Sequence, residues 1–88
     1  VGTARRPEQA QELRALGARV VVEALDATNH GSIDALAAKY RGRPIDVLIN
    51  NAGISGDLRR QSLGSFDYEM GRQVLETNVI GPLKVAEA

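Results

Sequence analysis

Val47-Leu48-Ile49-Asn50-Asn51-Ala52-Gly53 decides how this chain is read. Bulky aliphatic residues run without interruption into two amides, an alanine and a glycine. A strand apolar on both faces belongs in a parallel sheet covered by helices on each side. The small, polar turn that ends it leaves backbone where a ligand can come close. Downstream, Glu76-Thr77-Asn78-Val79-Ile80-Gly81-Pro82-Leu83 sets another asparagine inside a helical pattern. Asparagine is a poor helix-interior residue, and Pro82 lacks the N–H that would bond the Asn78 carbonyl. That carbonyl is therefore expected to be free for another partner.

Strand and helix signals alternate outward from that stretch. A short strand at Val1 to Thr3 leads to a helix from about Pro7 to Leu16, with Pro7 suited to the first turn and Gly17 to the stop. Ala10, Leu13 and Leu16 share one face of it. A strand is expected over Arg19 to Leu25, ended by Asp26. Asn29 or Ser32 then caps a helix to about Tyr40, whose Ile33, Leu36, Ala37 and Tyr40 fall at i, i+3, i+4 and i+7. Gly42 and Pro44 break it. The third strand is Ile45 to Ile49, the segment from Gly53 to Gly64 is a loop, and Ser65 opens a long helix from about Phe66. Strands separated by single helices imply right-handed crossovers. The expected fold is α/β, a partial Rossmann-type, doubly wound parallel sheet of three strands alternating with helices. Ligands of such sheets bind beyond the carboxyl ends of the strands, which singles out Ala4 to Arg6, Asp26 to Ala27 and Asn50 to Gly53.

Composition narrows the function classes. Eleven basic and eleven acidic residues balance to zero net charge, which favours neither nucleic acid nor an anionic membrane as partner. There is no cysteine, hence no disulfide framework and no thiolate metal site, which suits a reducing cytoplasm. His30 is the sole histidine, at a helix start among polar residues, where a capping or exposed role is expected; metal ligation has no support. No apolar run approaches the ~18 residues of a membrane span. The chain's 88 residues fall short of a complete doubly wound core. It reads as a piece, residues 1–88, of one dinucleotide-binding oxidoreductase domain truncated at both ends.

Asn50-Asn51-Ala52-Gly53 at a strand end, with Asn78 in the helix that follows, resembles the short-chain dehydrogenase/reductase family. Ser55-Gly56-Asp57, Arg60-Gln61-Ser62-Leu63-Gly64 and Asn78 through Ala88 look most like its C-factor-like and sniffer-like carbonyl reductase branch. The resemblance implies an oxidoreductase that transfers hydride between a nicotinamide cofactor and a small carbonyl or alcohol substrate. It also implies a homo-oligomer as an option for the intact protein, through the long helix near Phe66. The family's glycine-rich dinucleotide loop is absent. So is its Tyr-x-x-x-Lys pair: four positions after Tyr40 and Tyr68 stand Pro44 and Arg72. The 88 residues alone are therefore expected to be inactive.

The resemblance assigns roles residue by residue. Asn50, Ala52 and Gly53 would line the cofactor, and Asn51 would tie neighbouring strand ends together. Asn78 would belong to the catalytic machinery, its backbone carbonyl holding a water in a proton relay. Asp26 would accept from the adenine amino group, with Ala27 contributing backbone; an ordinary capping or turn aspartate explains the same residue. Ala4 stands where an NAD-preferring fold carries a ribose-binding carboxylate, and Arg5 follows it. A guanidinium there can bind the extra phosphate of NADP in bidentate fashion, so NADP(H) is expected over NAD(H). Arg5-Arg6 is also what a solvated surface carries, and Arg59-Arg60 in the loop reads as a solvated pair. Two rivals remain: a cofactor-binding but non-catalytic signalling or regulatory protein of the same fold, and an unrelated two-layer α/β module.

Overall fold

The computed structural model describes all of residues 1–88. Its ordered centre is a parallel pair, β1 (Gly2–Ala4) and β2 (Val22–Ala24), in register Gly2↔Val22, Thr3↔Glu23, Ala4↔Ala24. The Gly2 N–H donates to the Val21 carbonyl at 2.8 Å, and Leu25 N–H to that of Ala4 at 3.0 Å. The crossover between them is less helical than its apolar spacing suggests. A 3₁₀ turn at Pro7–Gln9 gives way at Ala10 (φ −86°, ψ 49°) to one α-turn, α1 (Gln11–Arg14). Pro7 opens the 3₁₀ turn in the first-turn place its missing N–H allows.

After β2 the chain enters α2 (His30–Lys39), capped by Asn29, whose side chain accepts the Ser32 N–H at 3.1 Å. Ile33, only 2 % exposed, is the one buried apolar side chain of the molecule. The half-buried Leu36, Ala37 and Tyr40 continue its face. Beyond it, Glu23 of β2 is gripped by two groups from the end of α2: Lys39 Nζ at 2.7 Å and the Tyr40 hydroxyl at 2.9 Å. Gly42, at φ +79°, reverses the chain after the helix.

The third expected strand does not form. Residues 45–49 make no ladder, and Ile45, Val47, Leu48 and Ile49 are 65, 74, 51 and 78 % exposed. The reason lies in sheet order. In a doubly wound order 3-2-1-4, strands two and three are neighbours, while strand four pairs with strand one. β1 and β2 take the places of two and three, so residues 45–49 take that of four, and no strand one is present among the 88 residues to pair with them.

The last helical region begins at Asp67, not Ser65: the Asp67 side chain accepts the Met70 N–H at 3.1 Å. It comprises α3 (Tyr68–Leu75), a π-helical turn at Glu76–Ile80, and α4 (Gly81–Glu87). The Cα radius of gyration, 15.3 Å, exceeds the about 12 Å of a compact chain of this length. That excess has the same origin as the exposed strand.

Candidate functional site

The turn after β2 is built from its own side chains. Asp26 Oδ1 accepts the Thr28 N–H at 2.9 Å and the Thr28 hydroxyl at 2.7 Å, while the Asp26 N–H donates to Ser32 Oγ at 3.0 Å. Those Thr28 bonds, with the nearby positive charge of Arg5, hold the Asp26 carboxyl below the usual aspartate range. Asp26 is ionised at neutral pH and acceptor-only.

Beyond the ends of β1 and β2 an open, polar cleft of about 660 Å³ is lined by Ala4, Arg5, Arg6, Gln9, Ala10 and Asp26. No ion pair engages Arg5 or Arg6. Two guanidiniums free to bind a phosphate, beside one ionised carboxylate, are a donor and acceptor set that fits the adenosine end of a dinucleotide carrying a 2′-phosphate.

Asn50, Asn51, Ala52 and Gly53 are exposed. Asn50 Nδ2 donates to the Pro82 carbonyl at 3.3 Å. Asn51 makes no side-chain hydrogen bond; the strand ends it was expected to tie are not paired here. A Cβ on Gly53 would stand 3.4 Å from Asn78 Oδ1, an ordinary contact. Asn78 therefore does not require glycine at position 53.

Asn78 holds the segment after Gly53 from across the chain. Its Oδ1 accepts the Ile54 N–H at 2.8 Å and its Nδ2 donates to the Ile54 carbonyl at 2.7 Å. The side chain thus imitates a neighbouring strand. A helix distortion is present as the π-turn, closed by the Gly81 N–H donating to the Glu76 carbonyl. That bond takes from Thr77 its α-helical donor, and Pro82 has no N–H to offer Asn78. The carbonyls of Thr77 and Asn78 emerge from the helix wall without those partners, while the Asn78 side chain is committed to Ile54.

Three contacts join the β2 turn and α2 to this distorted helix. Ala27 lies against Gly81, where an added Cβ would come 2.4 Å from the Ala27 oxygen. His30 Nε2 is 3.1 Å from Glu76 Oε1, and Lys84 Nζ 3.1 Å from Asp34 Oδ1. The structure thus brings Arg5 to Asp26, Ala27 to Gly81, Asn50 to Pro82 and Gly53 to Asn78. Sequence reasoning missed Gly81 and Glu76, the partner of His30.

The loop from Ser55 to Asp67 folds back on α3. Asp57 N–H meets Met70 Sδ at 2.9 Å, Gln61 Nε2 donates to the Ser55 carbonyl at 2.6 Å, and Arg60 spans Asp57 at 3.8 Å and Asp67 at 3.4 Å. Arg59 forks onto Asp57 at 3.1 Å through both Nε and a terminal nitrogen, so the arginine pair, solvated as expected at 89 and 64 % exposure, also staples the loop. These bonds to Arg59 hold the Asp57 carboxyl below its usual range.

Known proteins are similar to this chain. A probable oxidoreductase of Streptomyces lividans is 40 % identical over 87 residues, covering 93 % of this chain and 28 % of its own length. The C-signal protein of Myxococcus xanthus is 47 % identical over 45 residues, 51 % of this chain and 26 % of its own. Among solved structures, a short-chain dehydrogenase/reductase of Burkholderia multivorans with bound NADP superposes with a TM-score of 0.82 at 31 % identity, covering 98 % of this chain and 39 % of that one. A carbonyl reductase of Pseudomonas aeruginosa PAO1 does so with a TM-score of 0.77 at 35 % identity, covering 97 % and 40 %. The chain thus spans roughly a quarter to a third of the length of the curated relatives it matches. The short chain dehydrogenase family model matches residues 2–88, and the chain belongs to the short-chain dehydrogenase family.

Proposed function

We propose that the protein carrying these residues is an NADP(H)-dependent oxidoreductase acting on small carbonyl or alcohol substrates in the cytoplasm. The observation that carries this reading is the cleft at the ends of β1 and β2, where Arg5 and Arg6 stand unpaired beside ionised Asp26. A carboxylate at position 4 would repel a 2′-phosphate; Ala4 does not. Arg5 binds that phosphate, Asp26 accepts from the adenine amino group, and the Ala27 backbone completes the adenine edge. Asn50, Ala52 and Gly53, all exposed, line the ribose.

When bound, the nicotinamide supplies or accepts the hydride, and a general acid or base must move the accompanying proton. The chain's contribution to that proton is Asn78. Its side chain is spent on Ile54, which fixes the backbone so that its carbonyl can hold a water on the proton's path. The NADP-bound and carbonyl-reducing relatives support the cofactor and substrate class.

The test is oxidation of NADPH and of NADH by the full-length protein with a panel of aldehydes and ketones. Turnover with NADPH at a clear advantage over NADH is expected; failure to bind either cofactor overturns the reading. The likeness to C-signal favours one alternative, a cofactor-binding regulatory protein. NADPH binding without turnover of any carbonyl would establish it.

A further inference from the structure

Gly81 is one of only two buried residues in the chain, and nothing in its backbone calls for glycine. At φ −57° and ψ −54° it is helical, where alanine is the better residue by about 1 kcal/mol. The space decides instead. A Cβ there would lie 2.4 Å from the Ala27 oxygen and 3.1 Å from its carbonyl carbon. This is backbone and cannot rotate aside. The same residue closes the π-turn through its N–H to Glu76, so one glycine carries both the turn that presents Asp26 and Ala27 and the turn that presents Asn78. On either side of it, His30 to Glu76 and Asp34 to Lys84 pin α2 to the distorted helix at 3.1 Å each. With α2 so held, a displacement at Gly81 goes into the Ala27 turn instead of carrying the whole helix away.

From this we infer that Gly81 is a positioning residue that couples the adenine-reading turn to the Asn78 turn, so that occupation of the adenine end stiffens the proton-handling end. The inference rests on the proposed cofactor role of Asp26 and Ala27. A methyl at position 81 must push the Ala27 oxygen back by more than about half an ångström to reach the 3.0 Å that real contacts respect.

The test uses the full-length protein and two half-cofactors, 2′,5′-ADP for the adenine end and reduced nicotinamide mononucleotide for the other. Gly81→Ala should raise the Kd of 2′,5′-ADP about tenfold or more and leave that of the mononucleotide within about twofold. Equal losses for both probes, as from general unfolding, or no loss for 2′,5′-ADP would overturn the inference. A measurement on the unaltered protein guards against a variant that does not fold. Saturating 2′,5′-ADP should slow amide hydrogen exchange across Thr77 to Leu83, which that ligand does not touch. Protection confined to residues 4–6 and 26–29 would overturn the coupling while leaving the cofactor assignment intact. Absence of 2′,5′-ADP binding to the unaltered protein would instead sink the cofactor assignment, and the coupling with it.

Discussion

Two strand-end turns of this molecule are held in opposite ways. The turn after β2 is satisfied within seven residues: Thr28 donates twice to Asp26, Asp26 N–H to Ser32, and Ser32 N–H to Asn29. The turn at Asn50 to Gly53 has no such bonds of its own. It is fixed from a distance, by Asn50 reaching Pro82 and by Asn78 clamping Ile54. The first forms as soon as its strand and helix form. The second waits for a long loop to close and a helix to dock, at an entropic cost no local contact repays. One end of the proposed cofactor site is therefore local and robust, the other long-range and conditional.

The sharpest way to break this contrast is to study the 88 residues by themselves. The second turn lacks a paired strand beneath it, and no Tyr-x-x-x-Lys is present. The isolated chain is expected to show no turnover of any carbonyl with NADPH and no cooperative melt. Amides of residues 45–53 should exchange at nearly unprotected rates, while those of α2 retain measurable protection. A sharp melting transition of a monodisperse monomer, or turnover by a clean sample, would overturn this expectation.

In the full-length protein, Asn78→Ala removes both bonds to Ile54 but keeps the backbone carbonyl. At about 0.5–1.5 kcal/mol per hydrogen bond, kcat should fall roughly 10- to 100-fold and exchange at Ile54 to Gly56 should accelerate. The Kd of 2′,5′-ADP, read at the other turn, should change little. A variant with unaltered kcat would show that the clamp does not position the carbonyl.

A finer comparison lies inside the first turn. Arg5→Ala should weaken NADPH by roughly 1.5–3 kcal/mol, the scale of a hydrogen bond to a charged group, and leave NADH nearly unaffected. Asp26→Ala should weaken both cofactors to a similar extent, because the adenine is common to them. Dissociation constants for both cofactors and both variants decide the matter. Equal losses on removing Arg5 would show that it supports the turn rather than reading a phosphate.

How far the sequence was legible follows the same division. The helix cap, read as Asn29 or Ser32 and made by Asn29, and the inward face of α2 depend on neighbours a few residues away, while the parallel pairing of β1 and β2 followed from the alternation of strand and helix signals. That Pro82 would leave the Asn78 carbonyl without its α-helical donor was foretold by one covalent fact, the missing N–H of proline. The third strand was not foretold correctly, because Val47-Leu48-Ile49 has strand character but lacks its ladder partner, and propensity does not supply one. Nor did periodicity see that Ala10 would interrupt the first helix. The contacts of His30, Gly81 and Glu76 join residues far apart in the chain and leave no periodic mark. The sequence thus marked the strand-end turns and missed the packing that connects them.

The smallest expected effect tests whether the first region's stability is as local as its geometry. Glu23, with only 12 % of its side chain exposed, is gripped by Lys39 and Tyr40 from the end of α2. The bonds from Lys39 and Tyr40 hold its carboxyl below the ordinary 4.5, and the bond to Glu23 raises the Lys39 ammonium above 10.5. A depressed carboxyl contributes stability that is present above its unfolded value and lost as pH falls through the folded one. A raised ammonium contributes stability that is present below its unfolded value and lost as pH rises through the folded one. The pair should therefore favour the fold across a plateau from about pH 5 to 10 and fade on either side. Glu23→Gln keeps the shape and removes the charge, so the melting temperature of the full-length protein should drop slightly on the plateau. The gap to the unaltered protein should close as pH falls below about 4. A gap that stays constant into acid would mean that Glu23 acts through its hydrogen-bonding shape alone, and that the ion pair at the foot of α2 adds nothing to the stability of the first region.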